Sequence, residues 1–155
     1  MTLRPAEPED ETFLFRVYAS TRSEELALLP WTEEQKETFL EMQFDAQSRY
    51  YRDHYPDASF DVVLKGAEPV GCLCVARWPE EMKIADIALL PEHRGRGVGT
   101  ALLRELISEA DASRKPVTIH VERFNPALRL YERLGFREKK DKGVYLLMEH
   151  SPGGG

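Results

Sequence analysis

The sequence of 155 residues contains only two cysteines, Cys72 and Cys74. A Cys-x-Cys pair alone supplies too few ligands for a closed zinc site, and we expect no bound metal. Both cysteines fall in an alternating apolar segment, which places their side chains on one face of a predicted strand. We therefore expect two buried, reduced thiols rather than a redox pair.

Long hydrophobic runs are also absent. The longest apolar stretches, such as Ile84–Leu90, are less than half as long as the roughly 20 residues that a membrane span needs. The first ten residues are polar and acidic, and they lack the apolar segment of a signal peptide. These features predict a cytoplasmic protein that does not associate with a membrane.

Basic residues are in the minority. The 21 Lys and Arg residues against 27 Asp and Glu residues give a net charge of −6. General binding to nucleic acid needs a basic face, so we expect no nucleic-acid partner. The negative charge is compatible with a cationic substrate, but keeping the protein dissolved is the simpler explanation.

Apolar residues, at 42% of the chain, are frequent enough for one folded domain, predicted to span residues 1–150 and to be followed by a flexible tail at 151–155. Periodicity and turn residues predict the order β-α-α-β-β-β-α-β-α-β-β. This order indicates an α+β or α/β fold with a mixed central sheet of about seven strands and helices on both faces. The predicted strands are 2–4, 59–65, 69–77, 82–90, 116–122, 136–140 and 144–149.

The predicted helices have recognisable ends. The first opens at Pro8 and fades around residues 22–29, and the second begins with the capping box Thr32-Glu33-Glu34-Gln35 and ends near His54. Phe39, Met42, Gln43, Ala46 and Tyr50 share one face of that second helix. Further helices follow from Val98 and from Asn125-Pro126, the latter with Asn125 as N-cap and Gly135 just past the end. The helix from Val98 joins two strands that we expect to be parallel, with a right-handed crossover.

A glycine-rich loop, Arg94-Gly95-Arg96-Gly97-Val98-Gly99-Thr100, joins a strand end to a helix start. The first N–H groups of a helix have no partner inside it, and the helix dipole adds about half a positive charge there. Glycines let such a loop curl so that these donors converge on an anion. No Gly-Lys-Ser/Thr follows, so the loop is not a P-loop, and its spacing does not fit the Rossmann fingerprint. Taken alone, the loop could equally be a tight turn.

Two motifs together resemble the GNAT acyltransferase superfamily. Arg94-x-x-Gly97-x-Gly99, after Leu89-Leu90-Pro91, is similar to the family's Arg/Gln-x-x-Gly-x-Gly/Ala signature. The segment from Asn125 to Phe136 resembles its second signature, Asn…Ala…Leu-Tyr-x-x-Leu-Gly-Phe. The motifs lie in the family's order and span about a third of the chain.

The resemblance implies acetyl-CoA, or another acyl-CoA, as co-substrate. Its pyrophosphate would lie on the backbone amides of residues 95–100, and its pantetheine would run along the end of a strand and contact Asn125. Asn125 is also the predicted helix cap, and one side chain cannot readily do both. The cofactor-binding residues implied in this way are Ile87, Ala88, Leu89, Arg94, Gly95, Arg96, Gly97, Val98, Gly99, Thr100 and Asn125.

The resemblance also assigns catalytic roles. Tyr131 stands where the family places the general acid that protonates the departing thiolate, and the Leu89 amide would donate to the oxyanion. His120 stands where several members carry a basic glutamate, five residues before the motif Asn, and a neutral imidazole can accept a proton near pH 7. Glu122 and Asp86 are rival bases, and solvent alone is a further alternative.

The family builds its acceptor site from the connection between the first two helices and from the last hairpin. Here this implies Leu29 and Trp31, with Tyr50 and His54 as further candidates, and the turn at Lys142-Gly143. Core packing is the competing explanation for each aromatic residue. The acceptor itself, and an oligomeric state such as the homodimer common in the family, are left open.

The leading hypothesis is an N-acetyltransferase that moves an acyl group from acyl-CoA to a primary amine by direct attack in a ternary complex. The amine could belong to a small molecule or to a peptide. The alternative is a non-catalytic acyl-CoA-binding or sensor domain of the same fold.

Overall fold

A computed structural model describes residues 1–152 of the chain. Of the predicted tail, residues 153–155 lie outside the described residues. No helix within residues 1–152 is long and apolar enough to cross a membrane. The α-helices are α1 (Glu11–Ala27), α2 (Glu33–His54), α3 (Val98–Ala112) and α4 (Leu128–Arg133). The strands are β1 (Thr2–Pro5), β2 (Ser59–Lys65), β3 (Glu68–Arg77), β4 (Met82–Leu89), β5 (Val117–Glu122), β6 (Arg137–Asp141) and β7 (Tyr145–His150).

The predicted element order is confirmed. The seven strands form one sheet in the order β1-β2-β3-β4-β5-β7-β6. β4 and β5 are the predicted parallel pair, with Lys83 opposite Thr118, while β5 and β7 are antiparallel, with His120 opposite Leu147. The fold is therefore mixed α+β, as the sequence predicted.

The contacts between Cα atoms divide the chain into two compact units. The first comprises Met1–Cys74 and Asp86–His93, and the second comprises Val75–Ala85 and the residues from Arg94 onwards. In the first unit α1 packs on α2 through an edge-on contact of Phe15 with Phe44, whose ring centroids are 5.5 Å apart. The buried apolar side chains of this unit are Val17, Tyr18, Leu26, Val62, Val63, Val70, Leu73, Cys74 and Leu90.

The capping box of α2 forms as predicted. The Gln35 amide donates to the Thr32 hydroxyl at 3.1 Å, and the Gln35 side chain accepts from the Thr32 amide at 2.9 Å. The apolar face that the periodicity identified does not enter the core, because Phe39, Met42 and Tyr50 stay exposed. The helix instead turns Phe44 towards α1.

In the second unit α3 packs on β5. Leu102, Leu103, Leu106 and Ala110 form the buried face of α3. β5 buries Val117, Ile119 and Val121, as its alternation predicted, and it buries Thr118 as well. Leu146 and Met148 of β7 and the ring of Phe136 also lie in this core.

Two predicted helix starts are wrong. Residues Pro8–Asp10 form a short 3-10 turn, so α1 begins only at Glu11, and it then continues to Ala27. α4 begins at Leu128, which makes Ala127 its N-cap residue instead of Asn125. The Asn125 side chain accepts a hydrogen bond from the Ala127 amide at 2.9 Å, so it closes a turn before the helix.

Candidate functional site

The glycine-rich loop ends in an uncapped helix N-terminus. Gly95 and Gly97 have φ angles of +73° and +82°, in the left-handed region that glycine adopts without strain. The first hydrogen bond of α3 runs from the Ala101 amide to the Gly97 carbonyl at 3.0 Å. No side chain caps α3, and its first turn contains no acidic residue. The N–H groups of this turn are therefore available to an external acceptor.

The loop is open and carries basic side chains. Arg94 and Arg96 are exposed, while Val98, Gly99 and Thr100 are half-buried in the first turn of α3. A Cβ atom placed on Gly95 or Gly97 would meet nothing within 4 Å. Glycine is therefore required here for its backbone conformation. Helix dipole and arginines favour the same negative ligand.

Asn125 uses only part of its side chain in the fold. The side-chain oxygen accepts from Ala127, which leaves the NH2 group as the part that can donate to a carbonyl of a ligand. The residue is exposed. Closing this turn and contacting a ligand are thus compatible, because different atoms of the side chain serve them.

Tyr131 is held at the C-terminal end of α4. Its carbonyl accepts from the Phe136 amide at 3.0 Å, and the Gly135 amide donates to Glu132 at 3.1 Å. This Schellman arrangement needs the left-handed Gly135, whose φ is +99°. The Tyr131 ring is buried and packs edge-on against Phe136, with centroids 5.7 Å apart. The Leu-Gly-Phe part of the motif therefore fixes the position of the tyrosine.

His120 lies between two lysines. Its Nδ1 atom is 2.8 Å from Nζ of Lys83, and its Nε2 atom is 3.1 Å from Nζ of Lys142. Loss of hydration and then the charges of both lysines lower the pKa of His120 to about 4. Such an imidazole is neutral near pH 7 but is a weak proton acceptor, so His120 is a poor general base. Glu122, the next residue on the same face of β5, is half-buried and lies opposite Tyr145.

Asp86 lies in the first unit, in a cluster with a cysteine. The Cys72 thiol donates to the Asp86 carboxylate at 3.8 Å. Burial raises the pKa of Asp86 to about 6, although hydrogen bonds from Cys72 and from the Ile87 amide act in the opposite direction. Burial, followed by the charge of Asp86, raises the pKa of Tyr51 and of Cys72 above their ordinary values. Among the three predicted bases, Asp86 has a shifted pKa that suits proton transfer near neutral pH.

Both thiols are free, as expected. Cys74 is buried and Cys72 is partly buried. Burial also raises the pKa of Cys74 to about 12. The two cysteines are therefore inert thiols at neutral pH.

The region of this chain that is similar to known proteins contains the same two motifs. A sequence model described as the acetyltransferase (GNAT) family matches residues 23–136, which include the glycine-rich loop and the Asn125–Phe136 segment. The chain belongs to the GNAT family of acetyltransferases. It is 30% identical over 134 residues to the uncharacterised N-acetyltransferase MJ1207 of Methanocaldococcus jannaschii, a match that covers 70% of this chain. The chain spans 59% of the length of that relative.

Solved structures show the same GNAT fold. A PaiA N-acetyltransferase from Thermoplasma acidophilum, in complex with coenzyme A, has a TM-score of 0.74 at 18% identity and covers 97% of this chain and 98% of its own. An acetyltransferase from Thermus thermophilus has a TM-score of 0.68 at 25% identity, with 97% of each chain covered. Acyl-CoA-dependent acetyl transfer is the general activity of this family.

The GNAT resemblance implies a contact with the co-substrate at the end of β4, where Ile87, Ala88 and Leu89 are half-buried. The sequence analysis missed Gly71, which lies against this segment. A Cβ atom on Gly71 would overlap the Ala88 carbonyl oxygen and would come within 2.7 Å of the Leu89 side chain. The available signal was a single glycine inside a predicted strand, which is typical of a close backbone approach.

The predicted acceptor residues fall into two separate groups along α2. Trp31 precedes the helix and packs edge-on against Phe39, with centroids 5.3 Å apart. Tyr50 and His54 stack on each other near its C-terminal end, with centroids 3.9 Å apart. Between Glu33 and Tyr50 a helix rises by about 25 Å. Leu29, Trp31, Tyr50 and His54 are all exposed, but they do not line one small acceptor site.

The raised pKa of Asp86 gives a prediction for stability. A carboxyl group with a pKa of about 6 in the folded state and about 4 when unfolded stabilises the fold fully below pH 4, and this contribution is lost as the pH rises through 6. We expect the wild-type free energy of unfolding to fall by about 2–3 kcal/mol relative to Asp86→Asn between pH 4 and pH 6. Urea unfolding at several pH values measures this difference. Asp45 is an exposed residue of α2, so the free energy of unfolding of Asp45→Asn should depend on pH as that of wild type does. The same pH dependence in Asp86→Asn would contradict the raised pKa of Asp86.

Proposed function

We propose that the protein is an acetyl-CoA-dependent N-acetyltransferase that transfers an acetyl group to a primary amine by direct attack in a ternary complex. The observation that carries this proposal is the loop of residues 94–100. It combines two left-handed glycines, an α3 N-terminus without a capping side chain and two exposed arginines. Within an acidic chain, these features fit the pyrophosphate of coenzyme A.

In this proposal the loop holds the co-substrate and the amides of residues 95–100 donate to its pyrophosphate. Bound acetyl-CoA supplies a thioester whose carbonyl carbon is attacked by the amine. The Asn125 NH2 group donates to a carbonyl of the pantetheine. The roles of the Ile87–Leu89 backbone in pantetheine binding, and of the Leu89 amide towards the oxyanion, stay predictions.

Tyr131 serves as the general acid in the same proposal. Attack by the amine forms the C–N bond, and the C–S bond then breaks. The departing thiolate takes the phenolic proton, since an ordinary phenol with a pKa near 10 can protonate a thiolate. Support comes from the rigid placement of Tyr131 by the Schellman turn and by Phe136.

The amine must lose a proton to become a nucleophile and a second proton after attack. The pKa of about 6 makes Asp86 a better candidate for this role than His120, whose pKa lies near 4. Glu122 and solvent stay alternatives. The profile of kcat/KM against pH distinguishes these candidates. If Asp86 is the base, the kcat/KM of the wild-type enzyme falls below pH 6, and the remaining activity of Asp86→Asn does not show this fall.

Release of coenzyme A thiol tests the proposed activity. Wild-type protein is incubated with acetyl-CoA and a panel of small primary amines and peptides with free α- or ε-amines. We expect thiol release that depends on both the protein and an amine, with the acetylated amine confirmed by mass spectrometry. Tight binding of acetyl-CoA with no turnover on any amine would contradict an enzyme and would favour the acyl-CoA-binding or sensor domain.

A further inference from the structure

The imidazole of His120 faces a lysine at each ring nitrogen. Lys83, on the neighbouring strand β4, is buried, with 6% of its surface exposed, and its ammonium lies 2.8 Å from Nδ1. Lys142, in the turn between β6 and β7, is exposed and lies 3.1 Å from Nε2. All three residues belong to the second unit of the chain.

When both lysines are protonated, donor and acceptor counting shows that these three groups do not satisfy one another. A lysine ammonium only donates hydrogen bonds, and a neutral imidazole has one donor and one acceptor nitrogen. If the buried Lys83 donates to Nδ1, the ring proton resides on Nε2 and points at the ammonium of Lys142. Two donors then face each other across 3.1 Å at the exposed end of the cluster. An oxygen atom with lone pairs could accept hydrogen bonds from both donors.

Two neighbouring carboxylates have other hydrogen-bond partners. Glu81 accepts a hydrogen bond from the hydroxyl of Thr118, which lies opposite Lys83 in the sheet. Glu149 accepts from the ammonium of Lys139 at 2.9 Å. Neither of these hydrogen bonds involves His120 or Lys142. The cluster is thus a small cationic site within a chain of net charge −6.

We propose that Nε2–H of His120 and the ammonium of Lys142 bind a carboxylate group of the acceptor, so that the preferred acceptor is an amine that also carries a carboxylate. Lys83 is a positioning residue, since its hydrogen bond to Nδ1 holds the proton of His120 on Nε2. This inference rests on the proposed acetyltransferase function for the identification of the ligand as the acceptor. The anion site itself does not depend on it.

The surroundings favour a carboxylate over a phosphate. The exposed end offers two donors, which matches the two oxygens of one carboxylate. Glu81 lies close enough to act electrostatically on both Lys83 and His120, and it would repel a doubly charged phosphate more strongly than a singly charged carboxylate. A purely cationic amine, such as a diamine, gains nothing from this site.

A binding experiment tests the anion site without turnover. The ring resonances of His120 are followed by NMR while sodium acetate, sodium phosphate or sodium chloride is added at constant ionic strength. We expect a saturable change in chemical shift with acetate and a smaller change with phosphate. With chloride we expect only a small change that does not saturate, as for an adventitious ion. Lys142→Met should abolish the acetate response, and Lys140→Met, an exposed lysine of the same hairpin, should retain it.

A kinetic experiment tests the acceptor class. Amino acids and their decarboxylated amines, for example leucine and isoamylamine, are compared as acceptors with saturating acetyl-CoA. We expect kcat/KM to favour the amino acid by about 10-fold or more, as for one charge-assisted contact, and Lys142→Met to remove this preference mainly through KM. Lys140→Met should keep it.

The outcomes separate the two proposals. Equal use of leucine and isoamylamine by an active wild-type enzyme overturns the carboxylate preference and leaves the acetyltransferase function intact. Absence of turnover on every amine, with a saturable acetate response at His120, refutes the proposed function but supports the anion site. An acetate response identical to that of chloride refutes the anion site, whatever the activity.

Discussion

The Gly97→Val variant is expected to bind acetyl-CoA at least about 100-fold more weakly than the wild-type protein. Gly97 has a φ of +82°, a conformation that costs a residue with a side chain roughly 1–2 kcal/mol. To escape that strain the loop must change shape and turn amides of the α3 N-terminus away from the pyrophosphate, and each lost hydrogen bond to a charged group costs about 1.5–3 kcal/mol. Isothermal titration calorimetry with acetyl-CoA measures the change in Kd.

Gly66→Val is the matched control for this experiment. Gly66, in the turn between β2 and β3, has a φ of +63°, and a Cβ atom there would also meet nothing within 4 Å. Both variants should therefore lose similar thermal stability, while only Gly97→Val loses affinity. An unchanged Kd in folded Gly97→Val protein would show that the loop does not bind the pyrophosphate.

The Tyr131→Phe variant is expected to lower kcat on the order of 100-fold, because general acid catalysis typically contributes that much or more. Phenylalanine keeps the buried edge-on contact with Phe136, so the fold of α4 and the Kd for acetyl-CoA should change little. Steady-state kinetics together with calorimetry separate the loss of turnover from a loss of binding.

Tyr18→Phe removes a hydroxyl from another buried tyrosine, on α1, and should leave kcat unchanged. A Tyr131→Phe variant with wild-type kcat would remove Tyr131 from the role of general acid. A defect that acceptors of higher reactivity restore would also contradict this role, because a faster nucleophile leaves the protonation of the thiolate unaltered.

The sequence predicted the fold well where local patterns decide the structure. The capping box at Thr32 and the left-handed glycine after α4 involve residues within one or two turns, so propensity and spacing were sufficient. The alternation of Val117, Ile119 and Val121 also identified the buried face of β5 correctly. The two family signatures added an expected role for the glycine-rich loop and for Tyr131.

Local patterns failed where packing between distant segments decides. The apolar face of α2 that contains Met42 was visible in the sequence, but another face, with the half-buried Phe44, packs against α1. Asn125 has the residue type of an N-cap, yet the helix starts after Ala127. The lysines on both sides of His120 are 37 residues before it and 22 residues after it, and only the register of β4, β5 and the last hairpin brings them together. For that reason no local pattern indicated the two lysines that lower the pKa of His120.

A calorimetric titration with acetyl-CoA, compared with acetylated pantetheine that lacks the phosphates, tests the central claim most directly. Binding at the loop of residues 94–100 predicts saturable binding of acetyl-CoA and a loss of at least about 100-fold in affinity for the phosphate-free compound, since the amides of α3 and the two arginines would have no anion to contact. Equal affinity for the two compounds, or no binding of acetyl-CoA by folded protein, would contradict the claim that this loop holds coenzyme A.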